Sequence, residues 1–206
     1  MTRRLVVGMS GASGAIYGIR LLEVLREVDD VETHLVMSVA ARQTIVLETD
    51  RTHAEVEALA DVVYRAGDIA ASLSSGSFRT SGMVVIPCSM GTLSDIAWSS
   101  SDNLLARAAD VTLKERRRLV LVPRETPLHV GHLRMLVQVA EMGAIVCPPV
   151  PAFYQRPKTL EHIIDHSLSR ILDLLEIELP RDLSTRWAGP ARHEASSSGE
   201  SPTEAT

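Results

Sequence analysis

Short apolar runs alternate with amphipathic stretches along most of the chain. Five runs predict β-strands: LVVGM (5–9), THLVM (33–37), MVVIPC (83–88), LVLVP (119–123) and AIVCP (144–148). Apolar residues at helical spacing predict helices over 14–27, 38–48, 53–63, 102–116, 130–142 and 159–175. Strands that are apolar along their whole length are typical of a parallel sheet covered on both faces. The pattern therefore predicts an α/β fold, a doubly wound parallel sheet in a single domain.

The unusual residues of the chain follow the ends of these strands. They are SGASG after the first strand, Ser38 after the second, CSMGT after the third, Arg124-Glu125 after the fourth and PPVPAFYQRP after the fifth. Ligands of doubly wound sheets bind beyond the carboxyl ends of the strands. This edge of the sheet is therefore the predicted functional site.

The first turn is built from small residues. Gly11, Ala12 and Ser13 allow close backbone approach, and the helix that follows directs its free N–H groups and its positive dipole end at the turn. This favours an anion such as a phosphate, although tight packing alone also explains such a turn. The chain lacks the G-x-G-x-x-G and Walker patterns here, which argues against NAD and ATP and leaves FMN plausible.

The second turn, CSMGTLSD (88–95), is of the same kind. Its candidate binding residues are Ser89, Met90, Gly91 and Thr92. Hydroxyl and N–H groups here suit a polar ligand, whereas the alternative is an ordinary N-cap of the helix behind the turn.

Charged residues adjoin the same edge. Arg124 suits bidentate phosphate binding, and Glu125 suits proton transfer to a leaving oxygen, with a plain loop ion pair as the alternative. Glu48 ends a predicted helix, where a carboxylate is unfavourable for the dipole, so a functional role is indicated. Lys114, Tyr154 and Arg170 are further candidate phosphate donors.

Composition narrows the class of protein. The formal net charge of −5 argues against general nucleic-acid binding, and no apolar run approaches the ~20 residues of a membrane span. The start, MTRRLVVGMSG, is interpreted as the first strand of a cytoplasmic protein, with Cys88 and Cys147 as reduced thiols. Two histidine pairs, 129/132 and 162/166, have no third ligand at metal spacing, so no metal site is predicted.

The domain is predicted to span residues 1–187. After Ala188 the chain continues as GPARHEASSSGESPTEAT, a segment without large apolar residues. Such a segment cannot bury enough surface to order itself, so 188–206 is predicted to be a disordered tail.

Taken together, these segments resemble the UbiX-type flavin prenyltransferases, a family formerly regarded as aromatic-acid decarboxylases. The matching segments are GMSGASGAIYGIRLL, THLVMS, ARQTIVLETD, IPCSMGTLS, RAADVTLKERR, LVLVPRETPLH and PPVPAFYQRP, within residues 3–187. The resemblance implies a flavodoxin-like, Rossmann-like fold and a homododecamer. It also implies metal-independent transfer of the dimethylallyl group of dimethylallyl phosphate to N5 and C6 of reduced FMN. The product serves UbiD-type decarboxylases.

The resemblance also implies roles for single residues. FMN binding falls to Gly11, Ala12, Ser13, Ser38, Ser89, Met90, Gly91, Thr92 and Arg124, and the prenyl phosphate to Lys114, Arg124, Tyr154 and Arg170. Glu48 is the expected acid/base at the flavin, Glu125 the expected proton donor to the departing phosphate, and Ser13 is expected near N5. Some of these groups are expected to come from neighbouring subunits.

Two other functions remain open from the residues. A flavin-dependent cysteine decarboxylase has the same fold class, but the chain lacks its PxMNxxM segment. A flavin carrier or accessory subunit would need the glycine-rich turn without a cluster of phosphate donors.

Overall fold

The computed structural model describes residues 2–186, so Trp187 and the predicted tail 188–206 lie outside the described residues. The strands are β1 (Arg3–Met9), β2 (Val31–Met37), β3 (Val62–Arg65), β4 (Gly82–Cys88), β5 (Arg118–Pro123) and β6 (Ile145–Val146). The α-helices are α1 (Ala15–Leu25), α2 (Val39–Glu48), α3 (His53–Glu57), α4 (Met90–Ala97), α5 (Leu104–Lys114), α6 (Val130–Glu141) and α7 (Leu160–Leu174). Short 3₁₀ turns occupy Ser72–Ser74 and Phe153–Gln155.

The strands form one sheet in the order β3-β2-β1-β4-β5-β6, with every neighbouring pair parallel. The chain first winds outward from β1 to β3, then returns to the centre at β4 and winds the other way. This confirms the predicted doubly wound α/β fold, and its order is that of Rossmann-type sheets. The switch point lies between the carboxyl ends of β1 and β4.

Apolar side chains cover both faces of the sheet, as the continuous strand runs predict. One buried cluster includes Ile19 of α1 and Leu168 of α7, and the other includes Leu93 of α4 and Leu105 of α5. Burial on both faces explains why β4 reads as an unbroken apolar run, since all seven of its residues are buried.

The structure differs from the pattern in two regions: the strand predicted over 144–148 is reduced to Ile145–Val146, and part of a predicted helix is a strand. The predicted helix over 53–63 ends at Glu57, and Val62–Arg65 forms the edge strand β3. A capping box between Thr52 and Glu55 starts the short helix α3. The β-branched pair in VVYR then suits a half-buried edge strand better than a further helical turn.

The carboxyl edge of the sheet gathers the turns that were singled out. Backbone hydrogen bonds join strand ends there: Ser38 N to Met9 O at 3.0 Å, Ser10 N to Pro87 O at 3.1 Å, and Arg124 N to Cys88 O at 3.2 Å. The predicted loops after β1, β2, β4 and β5 therefore do meet at one place. Across residues 2–186, the helices are all too short or too polar to cross a membrane.

Candidate active site

The first turn packs directly against the start of α2. A Cβ atom on Gly11 would lie 2.3 Å from the Cβ atom of Ala40, so only glycine allows this approach. Gly14 is the N-cap residue of α1, with φ 103°, and provides no side-chain cap for the helix. The first N–H groups of α1 are therefore left to another partner.

That partner is Glu48, the last residue of α2. Its Oε2 atom accepts hydrogen bonds from Gly14 N at 2.8 Å and from Ala15 N at 3.0 Å. A carboxylate at the end of α2 is unfavourable for the dipole of that helix, but it also lies at the positive end of α1, where it is favourable. The amides expected to hold a phosphate are thus held by a side chain of the protein itself.

The surroundings of Glu48 keep it ionised. Partial burial raises its pKa, but hydrogen bonds from the Ser13 side chain and the Gly14 and Ala15 amides, with the charge of Arg124, outweigh this and leave the pKa below its usual value. Ser13, Glu48 and Arg124, three predicted site residues, are therefore brought together at the carboxyl edge.

The predicted hydroxyl groups cap helices at the same edge. Ser38 caps α2 by accepting from Ala41 N at 3.0 Å, and Ser89 caps α4 by accepting from Thr92 N at 3.3 Å. Ser89 Oγ also donates to Thr92 Oγ1 at 3.2 Å. The N-cap alternative is thus realised in both places, yet these three side chains are only half-buried and open to a ligand.

The loop after β5 exposes its charged pair. Arg124 and Glu125 are both exposed, and Glu125 Oε1 accepts a hydrogen bond from Thr126 N at 2.9 Å. The Glu125 carboxylate is thus held close to the loop that carries Arg124.

Tyr154 and Arg170 form a second group. Both line a cavity of about 380 Å³ between the 154 segment, α7 and residues 182–186. Tyr154 Oη lies 3.3 Å from His166 Nε2, and Arg170 donates to Asp173 at 3.1 Å. The lining of this cavity includes no member of the Glu48 group.

Lys114 lies at the opposite edge of the sheet. It ends α5, and the chain then enters β5 at Arg118, which pairs with Gly82 at the start of β4. Lys114 Nζ lies 2.6 Å from Glu115 Oε1, in a cleft shared with the C-terminal end of α6. One chain therefore does not bring Lys114 to the carboxyl edge.

The first histidine pair, His129 and His132, serves local structure. His129 caps α6 by accepting from Gly131 N at 3.0 Å, and its ring centroid lies 3.6 Å from that of His132. Within residues 2–186 no three His, Cys, Asp or Glu side chains are grouped as metal ligands.

Ser10 begins the SGASG turn, but the sequence assigned it no role of its own. It is 1% exposed, and its hydroxyl joins the ends of β1 and β4. The available signal was a polar residue directly after a fully apolar strand, a position where a buried hydroxyl needs partners.

Comparison with known proteins gives the family. A family model described as Flavoprotein matches residues 1–171. The flavin prenyltransferase UbiX of Escherichia coli K12 is 64% identical over 187 residues, which cover 91% of this chain and 99% of that protein. The flavin prenyltransferase UbiX of Thauera aromatica is 54% identical over 95% of this chain and 99% of its own length. The chain belongs to the UbiX-type flavin prenyltransferases of the Flavoprotein family.

Solved UbiX-type structures agree with this fold. AnUbiX (PadA1), crystallised in complex with FMN and dimethylallyl pyrophosphate, has a TM-score of 0.87 at 52% identity, covering 92% of this chain and 99% of that one. A dodecameric FMN-dependent UbiX-like decarboxylase from Escherichia coli O157:H7 has the same TM-score and identity. The match covers 90% of this chain and 100% of that one. The predicted resemblance to the UbiX type is confirmed.

Solved cysteine decarboxylases are less similar to this chain. SpaF, an FMN-dependent cysteine decarboxylase, matches with a TM-score of 0.59 at 18% identity. Such a match shows a common fold and carries no statement about the reaction.

Proposed function

We propose that this chain is a flavin prenyltransferase that joins the dimethylallyl group of dimethylallyl phosphate to N5 and C6 of reduced FMN. The observation that carries the proposal is the 64% identity to a flavin prenyltransferase over 91% of the chain. The grouping of Ser13, Glu48 and Arg124 at the switch point supports it independently, because this is where doubly wound sheets bind nucleotides.

The residues at the carboxyl edge fit a mononucleotide. Ser38, Ser89 and Thr92 present half-buried hydroxyl groups at the N-termini of two helices, and Arg124 adds an exposed cation beside them. Because Glu48 already holds the first amides of α1, we infer that the flavin phosphate is held by the α2 and α4 caps and Arg124. Gly11, Ala12 and Gly91 would leave room for the ring system, and the Met90 side chain would pack against it.

Glu48 handles protons in this proposal. Its lowered pKa means that it starts as a carboxylate at neutral pH, so it accepts a proton before it can donate one. Glu48 would take the N5 proton as N5 bonds to the carbon whose C–O bond breaks, and would return that proton to the prenyl double bond. The second bond, to C6, would use the carbon left electron-poor by this protonation, and the proton that C6 then loses would pass back to Glu48. Ser13 is hydrogen-bonded to Glu48 and would hold that carboxylate in place beside N5.

The leaving group departs as phosphate when the allylic C–O bond breaks and the oxygen keeps the electron pair. Arg124, Lys114 and Arg170 stabilise this developing negative charge, and Tyr154 adds a hydroxyl donor. Glu125, next to Arg124 in the exposed loop, protonates the departing phosphate. Holding reduced FMN and the prenyl donor next to each other supplies a large part of the rate enhancement.

The distance of Lys114 from the Glu48 group argues for a shared site. Because Lys114 lies at the amino edge of its own sheet, its contribution requires a neighbouring subunit. Val130, Leu133 and Val137 on α6 are 48–60% exposed, an apolar face that suits burial between copies of this chain. We therefore propose a homo-oligomer, with the dodecamer of the E. coli O157:H7 relative as the specific assembly.

The product would serve a UbiD-type decarboxylase. A cytoplasmic location stays a prediction.

The test is an anaerobic incubation of purified protein with reduced FMN and, separately, dimethylallyl phosphate or its diphosphate. Mass spectrometry of the released flavin reports transfer, and activation of an apo-decarboxylase reports the partner. Flavin that copurifies but is unchanged with both donors would favour the carrier function.

A further inference from the structure

The side chain of Ser10 connects the two turns that the proposed function assigns to the flavin. Ser10 Oγ donates to Pro87 O at 2.9 Å and accepts from Ser89 N at 2.7 Å. Ser10 precedes the first turn, and Ser89 opens the second. The hydroxyl therefore adds two hydrogen bonds between the turns to the backbone bond from Ser10 N to Pro87 O.

The Ser10 hydroxyl supplies a hydrogen bond that the strand backbones do not form at this point. The register partners of β1 and β4 end at Gly8 and Val85, and beyond them one backbone bond remains, from Ser10 N to Pro87 O at 3.1 Å. The β4–β5 register shifts between Val85 and Cys88. Pro87 has no N–H group to donate. The backbone alone thus leaves Ser89 N without a strand partner, and the Ser10 hydroxyl supplies the acceptor.

The hydroxyl is committed to this role. A serine hydroxyl has one donor and two acceptor positions, and Ser10 uses its donor on Pro87 and an acceptor position on Ser89. At 1% exposure, Ser10 does not face a ligand, in contrast to the exposed Ser13. A buried N–H that loses its acceptor is costly, so the chain around Ser89 would move to satisfy it.

We propose that Ser10 is a positioning residue, which sets the second flavin-binding turn against the first and so controls flavin affinity. The proposal rests on the proposed function, because it takes both turns to bind FMN. It assigns no chemistry to Ser10 itself.

The chain offers a matched control. Ser81 Oγ donates to Arg4 O at 2.9 Å, so it joins the same two strands at the amino edge, away from the flavin turns. Loss of a hydroxyl at Ser81 tests for a general effect of loosening β1 against β4.

The experiment compares Ser10→Ala, Ser10→Thr and Ser81→Ala with the unaltered oligomer. FMN dissociation constants and the KM values for reduced FMN and for the donor are measured well below the unfolding temperature. We expect Ser10→Ala to weaken FMN binding and raise the KM for FMN about tenfold, with the donor KM within about twofold, as for loss of roughly one buried hydrogen bond. Ser81→Ala should bind FMN as the unaltered protein does, and Ser10→Thr should retain more affinity than Ser10→Ala.

Equal FMN affinity in Ser10→Ala and Ser81→Ala would overturn the inference. If Ser10→Ala does not fold, Ser10→Cys, with a weaker acceptor of similar size, is measured in the same way and against the same expectation. An unaltered protein that binds no FMN would instead overturn the proposed function, so the two failures are distinguishable.

Discussion

The Oε2 atom of Glu48 lies 2.8 Å from the backbone nitrogen of Gly14, so the end of α2 caps the start of α1. The carboxylate is unfavourable for the dipole of its own helix and favourable for that of its neighbour. Because the glycine has no side chain to cap α1, the two positions depend on each other. A proton-transfer group is thereby held at the switch point of the sheet.

Glu48→Gln is expected to keep flavin binding and to lose product formation. The amide oxygen can still accept from Gly14 N, whereas the group can no longer take up a proton. Loss of general acid–base catalysis predicts a decrease in turnover of about 10²- to 10⁴-fold. The rate is measured as prenylated flavin formed per minute under anaerobic conditions, with FMN affinity measured in parallel.

Glu55→Gln is the control for this variant. Glu55 also caps a helix with its carboxylate, at Thr52, but it is not a proposed site residue. It should change stability slightly and turnover not at all. Normal turnover in Glu48→Gln would remove Glu48 from the mechanism.

The capping role of Glu48 predicts a pH dependence of stability. Its pKa in the folded protein lies below the usual value of 4.5, so its contribution is present above that pH and is lost as the pH falls through the lowered pKa. Unaltered protein should be more stable than Glu48→Gln at neutral pH, and the difference should shrink below about pH 4.5. Urea unfolding of both proteins across this range measures it. A difference that grows on acidification would contradict the assigned direction.

Gly11→Ala is expected to distort the first turn. The added Cβ atom would lie 2.3 Å from Ala40 Cβ, so backbone must move. Overpacking of this kind costs about 1–3 kcal/mol, and FMN binding should weaken with it. Gly67→Ala is the matched control, since among residues 2–186 no atom apart from its chain neighbours lies within 4 Å of its added Cβ. Thermal unfolding should therefore show a lower unfolding temperature for Gly11→Ala than for Gly67→Ala, and flavin titration should show weaker FMN binding. Identical behaviour of the two variants would show that the turn tolerates a side chain.

A site shared between subunits predicts complementation. Lys114→Ala and Glu48→Gln should each be nearly inactive, because each removes one half of every site. Mixed oligomers from co-expression should regain activity in about one quarter of the sites, those with Glu48 from one chain and Lys114 from another. No recovery in verified mixed oligomers would mean that Lys114 does not act across an interface.

The sequence predicted most of the fold because its strands are buried on both faces and read as continuous apolar runs. It placed Val62 and Val63, the first half of β3, at the end of a helix, since a short edge strand has no such run. The rule that parallel strands end at one edge predicted that Ser13 and Arg124 lie at the same edge, whereas only the family resemblance predicted that Glu48, at a helix end, joins them. Ser10 was missed because its importance lies in a contact 79 positions along the chain, with Ser89.

The location of Lys114 could not be predicted from the sequence for a different reason. Its type suggested a phosphate donor, and its place in α5 puts it at the far edge of its own sheet. Spacing along one chain carries no information about which surface a neighbouring subunit presents.

The most direct test of prenyl transfer is the mass of the flavin released after one anaerobic incubation of the unaltered protein with reduced FMN and ¹³C-labelled dimethylallyl phosphate. The account predicts a flavin that is heavier by one labelled five-carbon unit, with equimolar phosphate released. FMN of unchanged mass, recovered from protein shown to bind both compounds, would contradict it.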